Sequence, residues 1–152
     1  MNGENALADM ETFFMALADK TRLRLLNLMR DEEVCVCFFT EVLGDSQPKI
    51  SRHLAYLRNA GIVEARRDGK WMHYSISKPV DEGGRRVLGD LFEWLDSHEE
   101  MRADRKKYAQ VCCTPEMLVQ IARTPITFIS PNADMNNEID APAHNELEEF
   151  LL

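Results

Sequence analysis

Apolar residues recur at helical spacing from the start of the chain. Leu7, Met10, Phe13, Phe14 and Leu17 predict an amphipathic helix over 6–17. Asp19 is placed to cap the helix that follows. In that second helix Leu23, Leu26 and Met29, flanked by Leu25 and Leu28, give a strongly apolar face, and Arg22, Arg24 and Arg30 are assigned to its wet side or beside it. A short element over 37–43 offers Phe38, Phe39, Val42 and Leu43 for packing, and Gly44 suits a left-handed stop. Ser46 then reads as an N-cap, with Pro48 tolerated in the first turn. Ile50, Leu54 and Leu57 fall at i, i+4 and i+7, one inward stripe. Gln47, Lys49, Ser51, Arg52, His53 and Tyr56 are left for other faces, and Gly61 ends the helix.

The period then changes to two. Residues 62–67 read as a strand, Asp68-Gly69 as a two-residue hairpin signal, and 70–76 as the returning strand, closed by Pro79. From Val80 the helical period resumes, with Val87, Leu88, Leu91, Phe92 and Leu95 on one face and Trp94 widening it. Such a face is expected to meet the same helix of a second subunit; packing on its own domain is the alternative. Residues 98–107 are charged and predict a solvated helical extension, and 117–121 a short helical turn beyond Pro115. From Pro131 onward Asn, Asp, Glu and Ala dominate, which predicts a mobile acidic tail. The expected fold is mainly α with a small β-hairpin, a winged helix-turn-helix dimerised through terminal helices. The expected division is a DNA-binding and dimerisation domain over 1–110 and a C-terminal extension over 111–152.

Charge refines this picture. The chain has 152 residues and a formal net charge of −8, which at first argues against nucleic acid. The charge is uneven, however: six Lys and Arg against two acids from Ser46 to Ser75, and six acids with no Lys or Arg from Pro131 to the end. A local basic face can bind phosphates on an acidic molecule. Double-stranded DNA is the expected partner. Gln47 suits adenine edges, Arg52 or Lys49 guanine, and Ser51 several groups. His53 and Tyr56 are placed to reach bases or phosphates, and Arg66, Arg67 and Lys70 phosphates. No apolar run approaches the roughly 18 residues of a membrane span. The N-terminus has no basic and apolar leader, so the expected location is cytoplasmic.

The four cysteines form two close pairs, Cys35/Cys37 and Cys112/Cys113. In a reducing compartment such pairs point to metal or redox chemistry, against the alternative of small buried hydrophobes. Thiolates select soft, thiophilic centres. Residues i and i+2 do not face each other in a regular helix. Both thiols of Cys35-Val36-Cys37 meet one atom only in an extended or distorted first turn, so ligand binding is expected to unwind the helix start. No Cys-x5-Arg loop and no Cys-x-x-Cys pair occurs, and no nucleophile–base arrangement is visible, so no catalysis is expected.

Three segments carry a family resemblance. Residues 16–26 (Ala-Leu-Ala-Asp-Lys-Thr-Arg-Leu-Arg-Leu-Leu), 46–57 (Ser-Gln-Pro-Lys-Ile-Ser-Arg-His-Leu-Ala-Tyr-Leu) and the wing from Gly61 to Ile76 resemble the ArsR/SmtB family of metal-responsive repressors. The match spans roughly residues 10–96 and leaves the segment after Met101 uncovered. The resemblance implies a homodimeric repressor that leaves its operator when an inducer binds, with no cofactor required. Glu33-Val34-Cys35-Val36-Cys37 resembles the arsenite-sensing motif of the arsenic-responsive branch, which implies As(III) or Sb(III) as inducer. Phe38 and Phe39 depart from that motif, and Thr40 stands where its third cysteine would be. Arsenic in that branch takes up to three sulfurs, so the missing one is assigned to Cys112 or Cys113. The N-terminal cysteines of cadmium- and lead-binding relatives are absent. Asp96 and His98 match half of a zinc-site pattern, but Ala109 replaces its later histidine, so they are expected to be a solvated pair. The alternative reading is a thiol redox sensor or another soft-metal sensor on the same fold.

Overall fold

The computed structural model describes residues 6–78 and 81–112. Pro79, Val80, Cys113, the turn expected over 117–121 and the acidic tail lie outside the described residues. Helix α1 (Ala6–Leu17) leads into α2 (Lys20–Met29), whose N-cap Asp19 accepts from the Arg22 amide as expected. A two-residue strand β1 (Val34–Cys35) precedes α3 (Val36–Leu43), which ends at Gly44 with φ +73°. Then come α4 (Gln47–Asn59), β2 (Val63–Asp68), β3 (Trp71–Ile76), α5 (Glu82–Asp96) and α6 (Glu99–Val111).

The sheet is antiparallel in the order β1-β3-β2. Its hairpin loop falls one residue later than Asp68-Gly69 suggested. Asp68 pairs with Trp71, so Gly69 and Lys70 form the loop, and Gly69 takes φ +59°. A glycine at the first loop position with a negative φ at the second follows the right-handed twist of the strands. β1 was not foreseen: Val34 pairs with Tyr74 and Cys35 with His73, which ties the start of α3 to the hairpin.

One core holds these elements together. Leu25 and Leu26 of α2, Phe39 of α3, Ile50, Leu54 and Leu57 of α4, and Val34 of β1 are fully enclosed. The arginines of α2 do not face water as expected. Arg22 is buried. Arg24 makes a two-pronged bond to the buried Asp104, at 2.7 and 2.8 Å. Arg30 binds the Phe92 carbonyl at 3.1 Å and Asp96 at 2.8 Å. Each guanidinium lays its aliphatic stem on the core and spends its fork on a neighbouring element.

Two other expectations fail for related reasons. The charged segment at 98–107 is helical, but it is not a solvated extension. Met101, Asp104 and Tyr108 line one face of α6 and pack it on α2 and α3. Tyr108 meets Phe38 edge-on at 5.7 Å, and Lys107 Nζ reaches the Val42 carbonyl. Asp96 is not half of a solvated pair either, because Arg30 and Arg105 both bind its carboxylate. Large apolar side chains remain exposed: Leu7, Met10 and Phe14 on α1 and Trp94, 68% exposed, on α5.

Candidate nucleic-acid interface and thiol site

Helix α4 is placed by its inner stripe and its start. Ser46 accepts from the Lys49 amide, and Pro48 sits in the first turn, where its missing N–H costs nothing. With Ile50, Leu54 and Leu57 turned inward, Pro48 and Arg52 stand exposed and Gln47 and Ser51 half-exposed. Lys49 reaches back to Asp45 at 3.0 Å. Gln47 and Ser51, four apart, thus share one side of the first turns, and Lys49 and Arg52, three apart, share the next.

His53 and Tyr56 are placed differently. The His53 ring is largely covered, with Nδ1 3.5 Å from Arg22 Nη1 and 3.6 Å from Asp19 Oδ1. Tyr56 lies under the Arg22 guanidinium, whose carbon is 4.2 Å from the ring centre. Arg22, 4% exposed, also donates from Nε to the Ala16 carbonyl at 2.7 Å and from Nη2 to the Met15 carbonyl at 3.1 Å. One guanidinium therefore joins the last turn of α1, the cap of α2 and the inner flank of α4. His53 and Tyr56 hold the helix to the body of the fold. The sequence offered one sign of this: Asp19 and Arg22 are three apart, as are His53 and Tyr56, so each pair shares one helix face.

The wing cations are exposed. Arg67 Nε donates to the Gly69 carbonyl at 3.0 Å, and Lys70 Nζ lies 5.2 Å from the centre of the Trp71 ring. Arg66 is engaged on carboxylates. Its Nε and Nη2 both donate to Glu33, at 2.5 to 3.2 Å, and Nη1 is 3.9 Å from Asp68. The bond from Arg66 holds the Glu33 carboxyl below its usual range. Sequence reasoning quoted Glu33 within a motif and gave it no contact.

The thiol pair converges. Cys35 is the N-cap of α3, in extended conformation at φ −70° and ψ 141°, and Cys37 lies in the first helical turn. Cys37 Sγ donates to Cys35 Sγ across 3.1 Å. The two sulfurs meet because one residue is in a strand and the other in a helix, so convergence needs no unwinding. The donated S–H lowers the Cys35 thiol to about 7, against burial, which opposes it. The same bond, and then burial, push Cys37 up. The pair carries one shared proton and one readily formed thiolate, a donor set suited to a thiophilic ion. Thr40 donates to the Cys37 carbonyl at 2.8 Å and so stabilises the first turn of α3.

Cys112 caps the C-terminus of α6, with Sγ 3.5 Å from the Ala109 carbonyl. Burial and then the Glu32 charge raise the Tyr108 hydroxyl above the usual phenol range, and charges at Cys112 and Cys35 act on it in the same direction. Both cysteine sites are therefore within electrostatic reach of Tyr108. Among the described residues no three His, Cys, Asp or Glu side chains are gathered closely enough to hold one metal ion. Cys113 lies outside those residues.

Known proteins resemble the chain over this region. The model of the arsR family of bacterial regulatory proteins matches residues 19–65. The arsenical resistance operon repressor of Escherichia coli (strain K12) is 37% identical over 102 residues, covering 66% of this chain and 86% of that protein. An arsenic resistance transcriptional regulator of Pseudomonas putida is 51% identical over 87 residues, covering 54% of this chain and 68% of that protein. Among solved structures, the homodimeric winged helix-turn-helix DNA-binding domain of a possible ArsR-family regulator from Mycobacterium bovis superposes with a TM-score of 0.53. It is 28% identical and covers 65% of this chain and 91% of that domain. With a winged helix-turn-helix on the page and these relatives matching most of their own length, the chain belongs to the arsR family of bacterial regulatory proteins.

Proposed function

We propose that this regulator represses transcription from an operator it binds as a homodimer, and that trivalent arsenic or antimony at Cys35 and Cys37 releases it. The observation that carries this reading is the 3.1 Å approach of the two sulfurs between β1 and α3, inside the DNA-binding unit. Each thiol exchanges for one hydroxyl of the hydrated metalloid: a sulfur–arsenic bond forms, an arsenic–oxygen bond breaks, and the thiol proton leaves as water. No electron is transferred. A thiolate at Cys35 starts this exchange near neutral pH. A third sulfur from Cys112 or Cys113 completes the set, since α6 runs along α3 and ends near Tyr108.

Gln47, Lys49, Ser51 and Arg52 enter the major groove, and Arg66, Arg67 and Lys70 approach flanking phosphates. The second subunit docks on the exposed apolar residues of α1 and α5 (Leu7, Met10, Phe14 and Trp94). Exposed apolar groups of this size on two helices are otherwise a solubility liability.

The test is fluorescence anisotropy of reduced protein on a duplex selected by the wild-type chain from a random pool. Arsenite and antimonite are expected to release the wild type, while Cys35→Ser and Cys37→Ser stay bound. Loss of response in a Cys112→Ser/Cys113→Ser double variant identifies the tail as ligand. Release by peroxide with none by arsenite or antimonite makes the pair a redox sensor and sinks the metalloid reading.

A further inference from the structure

We infer that Glu33 is a positioning residue that carries the state of the thiol pair to the wing, so that inducer acts on DNA through Arg66 rather than by displacing α4. This rests on the thiol pair being the inducer site. Four contacts bring the two regions together. Cys35 is in β1 and pairs directly with His73 of β3. Glu33, two residues before Cys35, places Oε1 3.7 Å from His73 Nδ1. The same carboxylate takes the two-pronged bond from Arg66 of β2, and Arg66 is itself the cross-strand partner of His73. Cys35, His73, Arg66 and Glu33 thus close a ring across all three strands.

The geometry makes the ring sensitive. β1 is two residues long, so few backbone bonds hold it and a small shift of Cys35 moves all of it. A centre bridging both sulfurs replaces the S–H donation across 3.1 Å with two covalent bonds to a third atom, whose lengths and angle then set where Cys35 sits. Glu33 moves with the strand. The planar guanidinium fork tolerates little misplacement of its carboxylate, so the Arg66 bond changes first. Helix α4 meets α3 through apolar packing, and its charged anchor, Arg22, is bound to α1 and α2.

The experiment compares two affinities in the full-length reduced protein, with arsenite as the probe. DNA affinity is measured with and without saturating arsenite, and arsenite affinity is measured on the DNA-free protein. The ratio of the two DNA affinities is the coupling, which for such switches is typically about 5- to 150-fold. Glu33→Gln keeps hydrogen-bonding atoms but loses the charge, and Glu33→Asp keeps the charge but shortens the reach. Both are expected to reduce the coupling about tenfold while arsenite affinity without DNA changes less than about threefold. Lys20→Gln, which loses an exposed ion pair to Glu100 elsewhere, is the control and is expected to keep the wild-type ratio. Arg66→Gln combined with Glu33→Gln is expected to lower the coupling no further than either change alone. Unchanged coupling in both Glu33 variants overturns the relay and leaves the sensor reading standing. Failure of arsenite to release the wild type overturns both.

Discussion

Arg22 and Arg66 each tie a DNA-facing element to the body of the fold, and they do so in opposite ways. Arg22 is enclosed. It donates to two backbone carbonyls, stacks on Tyr56 and stands against His53 and Asp19, so α4 is fixed to α1 and α2 on several sides. Arg66 is mostly exposed and held chiefly by Glu33, two residues before Cys35, with Asp68 at 3.9 Å. Buried networks of this kind open rarely, whereas exposed pairs exchange readily with water and ions. On the proposed reading, α4 is the rigid part of the DNA-binding surface and the wing is the adjustable part. The thiols sit beside the adjustable part.

The largest effect expected from breaking this contrast is at Arg22. Arg22→Leu removes the guanidinium, takes its donor from the Ala16 carbonyl, leaves the Met15 carbonyl only the Ala18 amide, and removes the cation beside Asp19. Loss of one partner of a buried charged network costs about 3 kcal/mol. Urea unfolding is expected to show that loss with an unchanged denaturant slope, and DNA affinity is expected to fall with it. A cost under about 1 kcal/mol, in the range of surface pairs, means Arg22 is no firmer an anchor than Arg66 and removes the contrast.

How these features read in the sequence follows the same divide. The α4 stripe was legible because Ile50, Leu54 and Leu57 are neighbours along one helix, and periodicity is a local signal. The wing was legible from alternation and a glycine turn, with the loop one residue off because Gly69 takes the first loop position. Arg22 was misread as wet because its partners come from three elements, and no local pattern announces a buried cation. Asp104 misled in the same way: its charge suggested solvent, while its partner Arg24 lies 80 positions away. The thiol pair was half legible. The rule that i and i+2 diverge holds for a helix, but Cys35 belongs to a strand too short to show a period. The DNA-reading roles proposed for Gln47, Lys49, Ser51 and Arg52 rest on helix position alone, and each of the four is at least partly accessible.

Asp104 gives the next effect in size. Asp104→Ala leaves Arg24 largely covered with only the longer contact to Glu100, at 3.9 Å, which is expected to cost about 2 kcal/mol. If α6 serves the thiol site, this variant should also weaken the arsenite response while leaving basal DNA affinity in place, because α4 does not depend on α6. Thermal unfolding and the anisotropy assay separate the two. Ser46→Ala comes below it. Loss of the cap to the Lys49 amide is expected to cost about 1 kcal/mol in urea unfolding. If α4 is as firmly anchored as its buried stripe and Arg22 suggest, the coupling to arsenite stays at the wild-type ratio. A lowered ratio would shift the switch back toward the reading helix.

The most local expected effect is a single proton, and it tests whether the two sulfurs share one. The folded Cys35 thiol ionises at about 7, below its ordinary value of 9.0, because Cys37 donates to it. Between those limits the unfolded chain binds more protons at this site than the folded one, so stability rises with pH across the window. The gain is complete above the ordinary value and is lost as pH falls through about 7. Cys37 is shifted the other way, so any penalty from its retained proton appears only above the window. Cys37→Ala removes the largest cause of the lowering and leaves burial, which pushes Cys35 up, opposed only by the backbone amides at 36 and 37. The difference in unfolding free energy between wild type and variant is therefore expected to grow with pH inside the window, with a slope approaching about one proton. Urea midpoints across the window, paired with thiolate absorbance, measure it. A flat difference would mean that the sulfurs are near each other without sharing a proton, and the sensor would then lack the thiolate that starts the exchange.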